Sequence, residues 1–161
     1  MKKFLFTMLL ISQIAFSQKS IYSTFEGSFP SVDLNKSNVL SQQFRLGLGH
    51  SFAENTGATF DIGCGLLGNN SIPTFGTQLY YSFGISANYM FLNLKNDYKI
   101  GVEATSDYNI VFTNNNNDHL SVTGALKLQF PSQTYFKMGL QNRFMVNNAS
   151  SLVCAFGFII K

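Results

Sequence analysis

The sequence predicts an all-β protein, an eight-stranded antiparallel up-and-down transmembrane β-barrel with a filled polar lumen. Three observations indicate this fold class. Large apolar side chains alternate with polar or small ones along most of the chain, which is the period of a β-strand. Aromatic residues make up 15% of the chain and charged residues only 12%. After the first segment, no stretch approaches the length of apolar sequence that a membrane-spanning helix needs.

The first segment has the features of a secretory signal peptide. Lys2 and Lys3 precede a short apolar run over residues 4–11. We expect residues 1–17 to be removed, leaving residues 18–161 as one barrel domain. The alternative is a buried N-terminal helix. Removal would leave nine basic and eight acidic side chains, a net charge of +1 that favours no nucleic-acid partner.

Eight strands follow, each supported by its own alternation and bounded by turn residues. Their predicted ranges, in order, are 20–29, 41–53, 57–67, 76–92, 98–113, 119–130, 134–146 and 151–161. The apolar residues that place the first four are Ile21, Phe25, Phe29; Phe44, Leu46, Leu48, Phe52; Phe60, Ile62, Cys64, Leu66; and Leu79, Tyr81, Phe83, Ile85, Tyr89, Phe91. Those that place the last four are Ile100, Val102, Tyr108, Ile110, Phe112; Leu120, Val122, Leu126, Leu128, Phe130; Phe136, Met138, Leu140, Phe144, Val146; and Leu152, Cys154, Phe156, Phe158, Ile160.

Longer polar connections alternate with tight turns along the chain. Polar connections are predicted at one barrel end, at 30–40, 68–75, 114–118 and 147–150. Tight turns are predicted at the other end, at 54–56, 93–97 and 131–133. Barrels of this class have short periplasmic turns and longer outer loops, so we expect both chain ends on the periplasmic side. Tyr98 near one strand end and Tyr108 nearer the other favour aromatic girdles.

Every charged residue within the predicted strands falls on the inward face. These residues are Glu26, Arg45, Asp61, Lys99, Glu103, Asp107, Lys127, Lys137, Arg143 and Lys161. Inward glycines would make room for such long side chains. The predicted functional set is a structural ion-pair network of Glu26, Arg45, Asp61, Glu103, Asp107, Lys127, Lys137 and Arg143. Because eight strands enclose space only for side chains or one small ligand, we expect a filled lumen and no pore.

Two outward-facing polar or small residues interrupt the apolar face. The outward position of Asn142 indicates a protein contact, a β-bulge or a different strand boundary. Gly124 predicts a close contact or a bend. Cys64 and Cys154, also outward, are interpreted as small apolar fillers. They do not form a disulfide framework or a metal site, and no cofactor is expected.

The C-terminal strand carries a family resemblance. Phe156-Gly-Phe158-Ile-Ile160 resembles the closing-strand signal read by the outer-membrane assembly machinery, although the chain ends on Lys161 rather than an aromatic residue. With these residues the mature chain resembles the small eight-stranded outer-membrane barrels of the OmpX/OmpA type, in the porin-like superfamily, without a following peptidoglycan-binding domain. The resemblance implies a Gram-negative outer membrane, contact with its lipid, and the assembly machinery as a partner. Gln18 after Ser17 also resembles leaders of Bacteroidetes-type exported proteins.

Three functional hypotheses follow. The first is a non-enzymatic envelope protein or a scaffold that displays loops to an extracellular partner. The second is a lipid-modifying enzyme, because His119-Leu-Ser121 is similar to the His-x-Ser pair of outer-membrane lipid A deacylases, in which His is the base and Ser the nucleophile. Here Val122-Thr-Gly124 replaces that family's Asn-Ala pattern. His119 and Ser121 also fall on the strand face that is predicted to point into the lumen. The third is a soluble exported barrel of lipocalin type, with its apolar side chains inside.

Overall fold

The computed structural model describes residues 21–34, 39–69, 78–112, 118–144 and 149–161. The predicted signal peptide and parts of the four outer connections lie outside the described residues. So do the predicted strand ends at residues 20, 76–77, 113 and 145–146, including Val146. Among the described residues, no helix is both long and apolar enough to cross a membrane.

Eight long strands form one closed sheet. They are β1 (Ile21–Ser28), β2 (Val39–Ala53), β3 (Thr56–Asn69), β4 (Gln78–Asn93), β5 (Lys99–Val111), β6 (His119–Gln129), β7 (Thr134–Phe144) and β8 (Ala149–Ile160). Each strand pairs antiparallel with the next, and β8 pairs with β1. The predicted fold class, including closure by the C-terminal strand, is therefore confirmed.

The two faces of the sheet carry opposite chemistry. Outside, large hydrophobic side chains are exposed, as at Leu48, Ile85 and Leu126, which are 62%, 63% and 58% exposed. Inside, charged and polar side chains are buried; Arg45 and Lys127 are 7% and 4% exposed. A lipocalin-type barrel needs the reverse arrangement, so that hypothesis does not fit the structure.

The segment between β1 and β2 differs from the predicted polar loop over 30–40. β2 already begins at Val39, and Val32–Asp33 forms a short strand against β8. The Phe29 amide also donates to the Cys154 carbonyl of β8 at 2.8 Å. The reason is that β8 extends beyond its pairing with β1, and the following chain satisfies the backbone groups left at that edge.

The outer-face exceptions have local explanations. Ser150 Oγ donates to Asn142 Oδ1 at 2.7 Å across β7 and β8. The register of these two strands has no shift, so no bulge accounts for Asn142. The predicted boundary of the last strand was wrong: β8 begins at Ala149 rather than at 151, and Asn142 pairs with Ser150 in that extension. A Cβ placed on Gly124 would have no heavy atom within 4 Å, which excludes the predicted close contact.

Candidate functional site in the barrel lumen

The structure places all eight residues of the predicted lumen network inside the barrel. They are Glu26 on β1, Arg45 on β2, Asp61 on β3, Glu103 and Asp107 on β5, Lys127 on β6, and Lys137 and Arg143 on β7. Alternation along each strand turns these side chains to the same face. Four are acidic and four are basic, so their formal charges balance.

The largest cluster joins four strands through Lys137. Its Nζ lies 2.7 Å from a carboxylate oxygen of Glu26 and 2.7 Å from one of Glu103. The other Glu103 oxygen accepts a hydrogen bond from Lys127 Nζ at 2.7 Å. Tyr135 completes the cluster: its hydroxyl donates to Glu26 at 2.9 Å, and its ring centroid lies 4.1 Å from Lys127 Nζ. Charge-assisted bonds thus connect β1, β5, β6 and β7.

A second ion pair crosses the lumen from β2 to β5. Arg45 forms a salt bridge with Asp107, both nearly fully buried. Nearby on β3, Asp61 accepts a hydrogen bond from Ser86 at 2.9 Å. Buried charges are tolerated when they are paired and hydrogen-bonded. One oxygen of each carboxylate has such a partner, whereas Asp107 Oδ1 is buried without a hydrogen-bond partner among the described residues.

Glycines lie on the neighbouring strands directly beside five of the eight charged residues. In the strand register, Glu26 faces Gly157, Arg45 faces Gly63, Asp61 faces Gly47 and Gly84, Asp107 faces Gly84, and Lys127 faces Gly101. A Cβ at Gly84 would collide with the Asp107 carboxylate, and one at Gly47 with the Asp61 carboxylate. The inward glycines therefore provide the space that the charged groups occupy.

His119 and Ser121 lie at the start of β6, on the inner face. They are 5% and 2% exposed. Asn109 Nδ2 donates to Ser121 Oγ at 2.9 Å and to the His119 carbonyl oxygen at 3.3 Å. Arg143, at the same end of the lumen, donates to Ser41 Oγ at 2.6 Å. The sheet separates His119 and Ser121 from the apolar outer surface that an acyl chain would contact.

The charged groups leave little free volume. A cavity beside Glu26, Arg45 and Lys137 measures about 30 Å³, and one bordered by Asp61 and Glu103 about 10 Å³. A buried water needs roughly 10–15 Å³. These spaces hold a few waters at most, which is the filled lumen that the sequence predicts.

Within the described strands and turns, no group of three or more His, Cys, Asp or Glu side chains is placed to hold a metal ion. Cys64 and Cys154 are free cysteines on the outer faces of β3 and β8, which are not neighbours.

Tyr135 has an inward position in the sequence but was left out of the predicted lumen network, which it joins through Glu26 and Lys127. Counting charges identifies the carboxylates and ammonium groups but not the neutral side chain that bridges them. The sequence did hold a signal: Tyr135 lies two residues before Lys137 on the same strand, so both side chains point into the lumen.

Comparison with solved structures finds two barrels of the same size. The outer membrane enzyme PagL superposes with a TM-score of 0.58 and 11% sequence identity, covering 84% of this chain and 98% of that chain. Neisserial surface protein A (NspA) superposes with a TM-score of 0.51 and 17% identity, covering 88% and 95%. These likenesses show the fold of small eight-stranded outer-membrane barrels. No protein-family model matches the sequence, and no curated protein matches it significantly.

Proposed function

We propose that this chain is a non-enzymatic outer-membrane β-barrel, a structural envelope protein or a scaffold displaying its outer connections, without an open pore. The observation that carries the proposal is the division of the sheet into an exposed apolar exterior and a charged, ion-paired interior. Exposed apolar area is unfavourable in water by about 25 cal/mol per Å². The same surface suits hydrocarbon, while the charges stay away from lipid.

Aromatic pairs near both barrel ends support a membrane-spanning orientation. Tyr98 packs edge-to-face against Phe130 at 5.8 Å near the short turns. Tyr81 packs against Phe112 at 5.0 Å towards the other end. Aromatic girdles flank the apolar band of such barrels at the two interfaces. We infer that the short turns face the periplasm and that the longer connections meet any extracellular partner.

Export and assembly form part of the proposal. A signal peptide over residues 1–17 would direct the chain to the envelope of a Gram-negative bacterium. The assembly machinery would engage β8, whose outward Phe156 and Phe158 pack edge-to-face at 5.2 Å. The lipid of the outer membrane would then surround the exterior.

Circular dichroism of residues 18–161, in plain buffer and in detergent micelles, tests the proposal. We expect β-structure in micelles alone, with unboiled and boiled samples migrating differently on a gel. A stable fold in plain buffer would contradict the membrane location.

A lipid-modifying enzyme is the second candidate. The likeness to the outer membrane enzyme PagL favours it, and His119 with Ser121 supplies a base and a nucleophile by residue type. Against it, both side chains face the lumen. Lipid A profiles of cells carrying wild type, Ser121→Ala and the neighbouring Thr123→Ala decide between the candidates. A change specific to Ser121→Ala would favour the enzyme, and identical profiles would remove it.

A further inference from the structure

Asn142 carries an unpaired amide group on the outer face of β7. Its Oδ1 accepts a hydrogen bond from Ser150 Oγ at 2.7 Å, which holds the side chain towards β8. Its Nδ2 donates to no acceptor among the described residues. Because the side chain is exposed, both N–H groups are available to a molecule outside the barrel.

Apolar side chains surround this amide. Leu140 and Phe144 lie two residues away on the same face of β7, Val122 is the paired residue on β6, and all three are exposed. On the far side of Ser150, Leu34 has an exposed side chain and donates its backbone amide to the Ser150 carbonyl at 2.8 Å. Hydrocarbon offers no hydrogen-bond acceptor, so an amide among these side chains is unfavourable until it is paired.

The amide also lies away from the outer rim. Asn142 belongs to the cross-strand row that includes Ser106 and Ile85, midway along β4. The next row towards the rim contains Phe144 and Leu120. Lipid headgroups and water supply acceptors only beyond the apolar band. The partner of the amide must therefore be a molecule that lies within that band.

A second copy of the same amide meets this requirement. A primary amide has two N–H donors and an oxygen with two lone pairs, of which Ser150 occupies one. Two Asn142 side chains can therefore each donate to the other. Two barrels inserted in the same direction are related by a two-fold axis along the membrane normal, and such an axis brings a residue beside it next to its own counterpart. An acyl chain has no acceptor to offer.

The outer face is hollow beside this contact, which allows two barrels to approach closely. Ala104 on β5 pairs with Gly124 on β6, and both line a hollow of about 620 Å³ that Leu140 borders. A Cβ placed on Gly124 would meet no heavy atom within 4 Å. Small residues favour close packing between membrane-spanning surfaces.

We propose that this chain forms a two-fold symmetric dimer in the membrane through the outer face of β6 and β7, with the Asn142 amides paired across the axis. Each Nδ2 donates to the Oδ1 of the other copy, and Ser150 holds that oxygen in position. The inference rests on the proposed membrane location, because water would satisfy both amides in solution.

Energy transfer between donor-labelled and acceptor-labelled copies in phosphatidylcholine vesicles tests the dimer. Residues 18–161, labelled at their N-terminus, are folded into vesicles at increasing protein-to-lipid ratios. We expect transfer that saturates, that falls when unlabelled protein is added, and that is accompanied by bleaching of single particles in two steps.

Three variants test the amide contact. Asn142→Leu should weaken dimerisation about tenfold, because it removes two hydrogen bonds within the membrane. Ser150→Ala should weaken it about threefold, since the amide loses its fixed orientation. Gln42→Leu makes the same chemical change at an outward position on β2, where Gln42 pairs with Leu66, and should dimerise like wild type.

Crosslinking locates the interface. In a background with Cys64→Ser and Cys154→Ser, a short bismaleimide should join two copies of Leu140→Cys. Leu66→Cys lies on β3, on the opposite side of the barrel from β7, and should remain monomeric. Equal crosslinking at both positions would indicate random crowding and would contradict the interface.

Monomers at every protein-to-lipid ratio would overturn the proposal and would mean that lipid headgroups or water satisfy the amide. Dimers whose affinity is unchanged by Asn142→Leu would overturn it as well. The boiled-against-unboiled gel assay verifies that each variant is folded. A chain that inserts but stays monomeric contradicts this inference alone, whereas a chain that does not insert contradicts the membrane location together with the dimer.

Discussion

Lys137 holds together the central lumen cluster, because its one ammonium group serves two carboxylates. Glu26 and Glu103 each lie 2.7 Å from its Nζ, and the side chain is only 7% exposed. Without the ammonium, the Tyr135 hydroxyl would be the one side-chain donor left to Glu26 among the described residues. Removing one partner of a buried ion pair typically costs about 3–5 kcal/mol, because the remaining charge is left uncompensated.

Lys137→Met, which keeps the length of the side chain, should therefore lower the free energy of unfolding by about 3–5 kcal/mol. Urea titration in micelles, followed by gel mobility, measures it. The exposed Lys95→Met should change stability by no more than about 0.5 kcal/mol. Adding Glu26→Gln to Lys137→Met removes the excess negative charge and keeps an acceptor for Tyr135, so part of the stability should return. A double variant no more stable than Lys137→Met would contradict this account.

At the residue scale, the sequence predicts which charges face inward but not which ones pair. Inward parity follows from the two-residue period of a strand, so Arg45 and Asp107 are assigned to the lumen independently of each other. Their contact crosses the barrel from β2 to β5 and depends on the register of every strand between them. The Tyr135–Glu26 hydrogen bond spans 109 residues for the same reason.

At the scale of elements, β6 and β7 leave no room for a side chain where Gly139 faces Ala125. A Cβ on Gly139 would lie 2.6 Å from the Ala125 Cα and would collide with the Gly124 carbonyl. These are backbone atoms, which cannot rotate away as a side chain can. Gly124 itself points outward into open space.

Gly139→Ala should thus lower the free energy of unfolding by about 1–3 kcal/mol, the usual effect of overpacking. Gly124→Ala, the same change on the adjacent strand, should be neutral or stabilising by up to about 1 kcal/mol, because alanine restricts the unfolded chain. Thermal unfolding of the two variants in the same micelles provides the comparison. Equal losses would show that the lumen-facing contact is not what requires glycine.

Strand positions could be predicted closely because alternation is a local property. β5 spans Lys99–Val111 against a predicted 98–113, a difference within the usual uncertainty of strand ends. The short strand Val32–Asp33 could not be predicted, because it exists only to pair with the part of β8 that β1 leaves uncovered. That requirement arises from closure of the barrel and leaves no periodic pattern in two residues.

At the scale of the whole molecule, closure removes every exposed sheet edge among the long strands and turns the apolar face outward. The sequence predicts the two faces, and the structure shows which of them encloses the lumen. The fold does not decide the activity, since the same architecture occurs in an enzyme and in a surface protein. The function therefore depends on the particular residues of the lumen and on the environment of the exterior.

The environment of the exterior gives the last prediction. Ile85 lies midway along β4 and Leu94 in the turn that follows; they are 63% and 44% exposed. In water, replacing either exposed side chain with arginine should have little effect. In a bilayer, arginine costs about 2–4 kcal/mol at the midplane and about 0–1 kcal/mol near the interface.

Ile85→Arg should consequently lower the free energy of unfolding in phosphatidylcholine vesicles by about 2–4 kcal/mol, and Leu94→Arg by about 1 kcal/mol or less. Urea titration with the gel-mobility readout measures both. Equally small losses would mean that water surrounds both positions, and the outer face could not then span a bilayer. A large loss confined to Ile85→Arg would place the middle of β4 in hydrocarbon, with the charged lumen behind it shielded from lipid by the sheet.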